Sequence, residues 1–75
     1  MILPSKHIDL QHSLLGAGAA ILRNLDHPQS VTTLWSQVQS LPEIGYYGRF
    51  ILTLDFLFAI DAIGFKDRTI KRHQQ

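Results

Sequence analysis

The chain has 75 residues and a mass of 8.5 kDa, which is one domain at most. It has no cysteine, so disulfides, iron–sulfur clusters and thiolate zinc sites are excluded. Apolar residues make up 45% and charged residues 17%, below the usual quarter or so, which excludes a disordered polyelectrolyte.

The formal charge of +1 is unevenly spread. Residues 1–65 carry three basic against five acidic side chains, and residues 66–75 carry four against one. A mildly acidic body therefore ends in a basic tail. The start of the chain shows no basic segment followed by an apolar run, so no secretory signal is expected. The longest apolar stretch, Phe50 to Ile60, is broken by Thr53 and Asp55 and is far short of the roughly 20 residues of a membrane span. A cytoplasmic protein without a membrane segment is the expectation. A core this small offsets conformational entropy only narrowly, which makes association with a partner the remaining source of stability.

Residues 1–8 read as an extended arm, with Ile2, Leu3 and Ile8 available for docking and Pro4 disfavouring helix before it. A first helix follows from about Asp9 to Leu25, capped by Asp9 or Ser13. Gly16 and Gly18 inside it suggest close approach of another backbone. They do not form a phosphate loop, because no strand precedes them. Residues 24–29 are a break, ended by Pro28.

The second helix spans residues 30–41, with Ser30 as N-cap and Pro42 as its stop. Val31, Leu34, Val38 and Leu41 form its apolar face, and Trp35 widens it as a core or rim anchor. The third helix runs from about Tyr46 to Ala62, with Gly64 placed as its left-handed terminator. Residues 65–72 then read as a short hairpin, with Phe65 and Ile70 pointing inward across a turn near Lys66-Asp67-Arg68. A short strand around Val31 is able to pair with it. His73, Gln74 and Gln75 form a frayed tail.

Three helices and a terminal hairpin predict a mainly α, winged helix-turn-helix-like single domain over residues 1–75. The N-terminal arm (1–8) and the basic hairpin and tail (65–75) are its appendages. In a DNA-reading winged helix the third helix needs a polar, basic face. Here nine of the eleven residues from Phe50 to Ile60 are apolar, and one of the other two is Asp55. Such a helix demands burial nearly all round. Phe50, Leu54, Leu57 and Phe58 are assigned to the internal face. Ile51, Leu52, Phe56 and Ile60, with Trp35, are assigned to an interface with a second copy or another subunit. The competing expectation is that the arm and hairpin cover this surface internally.

No residue set points to chemistry. His7, His12, His27 and His73 lack metal-pair spacing, and Asp55 and Asp61 do not face each other. The serines lack a nucleophile-elbow context. No catalytic, metal or cofactor-binding residue is assigned, and the chain is expected not to be an enzyme. The candidates for nucleic-acid contact are Arg49 and the basic tail, Lys66, Arg68, Lys71 and Arg72, but a solvated hairpin edge is the favoured reading of the tail.

Four segments carry a resemblance over nearly the whole chain: Ile2-Leu3-Pro4-Ser5-Lys6-His7-Ile8, Ser13-Leu14-Leu15-Gly16-Ala17-Gly18, Val31-Thr32-Thr33-Leu34-Trp35, and the run from Phe50 to Ile63. The chain resembles the small middle-component proteins of bacterial ABC-ATPase three-component systems. The resemblance implies a non-enzymatic subunit whose partners are an SMC-like ABC ATPase and an effector protein, in a system acting against phages and other invading DNA. It transfers no site residue. The function expected is that of an adaptor subunit, as a homodimer or in a hetero-oligomer. The alternative is a small dimeric winged-helix DNA-binding regulator.

Overall fold

The computed structural model describes residues 4–73, with side chains from Ser13 onward. The order is α1 (Pro4–Arg23), α2 (Val31–Val38), α3 (Tyr47–Ala59), β1 (Ile63–Lys66) and β2 (Thr69–Arg72). This is the mainly helical, winged helix-turn-helix-like layout expected.

The first difference is at the start. Helix replaces the expected arm from Pro4 onward, while residues 1–3 lie outside the described residues. Proline suits the first turn of a helix, where its missing N–H has no intrahelical partner and its φ is already helical. Asp9 and Ser13 are therefore interior residues of α1 and not caps.

Helix α2 starts as read. Ser30 is extended at φ −69° and ψ 159°, and its Oγ accepts from the Thr33 N–H at 3.1 Å. The helix is shorter than the expected 30–41, ending at Val38 ahead of Pro42. Helix α3 is also shorter than expected. It ends at Ala59, and the left-handed residue after it is Asp61 at φ 63°, not Gly64. The Ala62 N–H donates to the Leu57 carbonyl at 2.8 Å and the Asp61 N–H to that of Phe58 at 3.0 Å. These two bonds are a Schellman closure, which satisfies carbonyls the helix end leaves open. Aspartate is among the few non-glycine residues that take this conformation readily. Gly64 instead belongs to β1.

The hairpin pairs Ile63 with Arg72, Gly64 with Lys71, Phe65 with Ile70 and Lys66 with Thr69. Asp67 (φ 54°) and Arg68 (φ 65°) make the two-residue turn, with both φ values positive as the right-handed strand twist requires. The expected extra strand is present as a single bridge at Gln29, two residues before Val31. Gln29 and Ile70 exchange both backbone bonds, at 3.0 and 2.6 Å. That bridge ties the wing to the segment after α1. The start of the expected frayed tail is held: the His73 N–H donates to the Ala62 carbonyl at 2.9 Å, and its ring lies 3.1 Å from the Asp61 carboxylate.

The core joins Ala17, Ile21 and Leu25 of the first helix and its exit to Leu34, Val38, Ile44, Phe50, Leu54 and Leu57. Ile63 and Ile70 close it from the wing. The two helical glycines differ. A Cβ on Gly18 would lie 3.1 Å from Leu57 Cδ2, so Gly18 admits a side chain of α3 where close approach of a backbone was expected. A Cβ on Gly16 would meet nothing within 4 Å. Gly16→Ala is therefore expected to raise stability by about 0.5–1 kcal/mol through helix propensity. Gly18→Ala forces the buried Leu57 to move, and overpacking of about 1–3 kcal/mol outweighs the same gain. Urea unfolding of the two variants checks the opposite signs.

Candidate protein-interaction face

At about 100° per residue, Phe50, Thr53, Leu54 and Leu57 share one side of α3, and all four are buried. Thr53 is tolerated there because its hydroxyl donates to the Arg49 carbonyl at 2.7 Å. Phe58, assigned to the internal face from the sequence, is instead 39% exposed. It sits about 100° round from Leu57, where the core no longer reaches. The signal was in the wheel arithmetic, which a count of apolar residues passes over.

Two apolar flanks result. Leu52, Phe56 and Ile60 follow each other at four-residue spacing on one side. Leu52 and Ile60 are exposed, while Phe56 is half-buried against the core. Tyr47, Ile51 and Phe58 form the other side. Ile51 is half-buried against the core, and Tyr47 is half exposed. Ile51 and Phe56 are therefore shared between the core and the expected interface. Between the flanks the exposed strip carries Asp55 and Ala59.

Trp35 of α2 is a half-buried rim residue. Its ring meets Tyr47 edge-on at 5.1 Å and 84°, and lies 5.1 Å from Phe50. This trio fixes α2 against the start of α3. Phe65 departs from its expected inward position at 57% exposure, although its cross-strand partner Ile70 is fully buried. Directly opposed residues share a sheet face, so Phe65 lies on the core-facing side of the wing but beyond the end of the core.

Seven large apolar residues are exposed among the described side chains, and six fall between residues 46 and 65: Tyr46, Tyr47, Leu52, Phe58, Ile60 and Phe65. The seventh is Leu15 of α1. Of the six, Phe58 and Phe65 were read from the sequence as inward-facing.

The basic candidates separate. Arg49 is half-buried, donates to Ser13 Oγ of α1 and lies over the Tyr46 ring at 5.9 Å. It joins α3 to α1, so its guanidinium is engaged within the fold. Arg72 donates to the Leu22 carbonyl at 3.2 Å, near the C-terminal end of α1. Lys66, Arg68 and Lys71 are exposed on the wing. Among the described residues, no three His, Asp or Glu side chains are grouped to hold a metal. A shallow cleft lies between Leu25–Pro28 and the Lys71–Arg72 end of the wing. No helix of the described residues is long and apolar enough to cross a membrane.

These features define a small winged helix-turn-helix-like module whose third helix is buried on one side and, among the described residues, exposes Leu52, Phe58 and Ile60 on the other. The chain belongs to the ABC-three component (ABC-3C) system Middle Component 6 family, whose model matches residues 3–73. Membership implies partner components. No curated protein and no solved structure matches the chain.

Proposed function

We propose that this chain is a non-enzymatic assembly subunit of its three-component system, acting in the cytoplasm through protein–protein contacts. Its partners are the SMC-like ABC ATPase and the effector, and its role is to link them in a defence response. The observation that carries this reading is the concentration of exposed apolar side chains in residues 46–65, on α3 and the adjoining wing. Apolar surface gathered on so small a chain marks an interaction site.

The second reading, a DNA-binding regulator, draws on the exposed Lys66, Arg68 and Lys71. Against it, the exposed side of α3 offers Leu52, Phe58, Ile60 and the phosphate-repelling Asp55. Co-expression with the neighbouring components, followed by size-exclusion chromatography with light scattering, tests the first reading. A co-eluting complex that persists from about 50 mM to 500 mM salt is expected. Phosphate contacts weaken steeply over such a range, whereas apolar docking changes little. No co-elution, with salt-sensitive capture of duplex DNA in its place, overturns the assembly reading.

A further inference from the structure

We propose that the α3–wing face takes a second copy of this chain, the wing of each protomer lying across α3 of the other about a two-fold axis. The inference rests on the reading that residues 46–65 are a docking surface, and it names the occupant.

The argument is complementarity within a single chain. The exposed strip of α3 is apolar with an acid in it: Leu52 and Ala59 about Asp55. The outer end of the wing is apolar with a net basic tip: Phe65 next to Lys66, and Arg68 beside Asp67 in the turn. Among the described residues, Asp55, Lys66 and Arg68 enter no salt bridge. Each surface therefore offers a greasy contact, and the net charges are opposite: −1 at Asp55 against +1 for Lys66, Asp67 and Arg68 together. Covering Asp55 with a purely apolar partner would leave a carboxylate without a counter-charge, at large cost. Covering it with the wing supplies lysine and arginine. A two-fold axis forms both contacts together, because the same patch serves on each side.

A standard interface takes about 800 Å² per partner; Leu52, Phe58, Ile60 and Phe65, at 39–57% exposure, supply roughly half of it at about 100 Å² each, and polar rim residues such as the wing cations supply the rest. The positive-φ pair Asp67 and Arg68 makes the hairpin tip a fixed two-residue turn, so the cations are presented with little loss of backbone freedom.

The test is charge reversal followed by mixing. The full chain alone is run by size-exclusion chromatography with light scattering from about 1 to 200 µM. Twice the 8.5 kDa mass is expected for the natural sequence. One variant carries Asp55→Lys and another Lys66→Glu with Arg68→Glu. Each alone is expected to dimerise at least tenfold more weakly, because both contacts of its homodimer are mismatched. Mixed in equal amounts, they are expected to form a heterodimer with natural affinity, since both of its contacts are again acid against base. Recovery on mixing also shows that both variants are folded. A natural chain that stays monomeric throughout, a dimer indifferent to both reversals, or variants that fail to recover on mixing would each overturn the proposal. A monomer that still co-elutes with the other components removes the dimer and leaves the docking reading standing. A dimer that recovers on mixing but joins no component does the reverse.

Discussion

Replacing Leu52 and Phe58 together by aspartate is expected to abolish assembly while leaving the domain folded. Both side chains are exposed in the single chain, at 47% and 39%. Their loss removes little from the core. The fold cost is limited to the poorer helix propensity of aspartate, about 0.5 kcal/mol per site. At an interface the cost is of another size. Covering the exposed part of each side chain contributes about 1 kcal/mol, a little under half of the roughly 1.5–3 kcal/mol of full burial, and each aspartate adds a charge to be desolvated at a further cost of several kcal/mol. Together these exceed the 1.4 kcal/mol that separates tenfold steps in affinity, so a loss of about 100-fold or more is expected. Circular dichroism and thermal unfolding report the fold, and co-elution with the other components reports assembly. An unfolded variant would place Leu52 and Phe58 in the core. A folded variant with unchanged assembly would remove this face from the interface.

Phe50→Ala has the opposite signature. Phe50 is fully buried and is in contact with the rings of Trp35 and Tyr47 as well as being part of the central cluster. Truncating a buried phenylalanine costs about 3–5 kcal/mol. A domain of this length has about 4–11 kcal/mol of stability in all. The midpoint of thermal unfolding is therefore expected to fall by more than about 12 °C, since each kcal/mol is worth at least about 4 °C at this size. Because the same ring holds α2 against α3, the transition read by Trp35 fluorescence should shift with it. A midpoint shift of only a few degrees would mean that Trp35 and Tyr47 close over the gap.

Within α3, the pair of variants separates two roles on one helix. Leu52 and Phe50 are two residues apart in the same apolar run. One is buried in the core, and the other is exposed. Composition does not tell them apart, but angular position about the helix does.

The sequence by itself determined the element order, because its punctuation is strong. Ser30 caps α2, Pro28 and Pro42 bound it, and the polar turn at Asp67-Arg68 joins two short strands. It also pointed to an α3 with more apolar surface than one buried side of a helix takes up, and the family was legible in the segments spread along the chain. Helix ends were less legible. Pro4 read as a breaker, yet it opens α1, since a first-turn proline leaves no intrahelical bond unmade. Gly64 read as the terminator of α3, yet Asp61 takes that place, because a left-handed residue is chosen by where the core ends and not by the nearest glycine. Only the tertiary structure decided which side of α3 is covered. Gly18 lets Leu57 seat against α1, which orients the helix and leaves Leu52, Phe58 and Ile60 outside. It also decided that Phe65 overhangs the core while its partner Ile70 is buried in it, because a strand's alternation assigns a face but not how far the core extends beneath it.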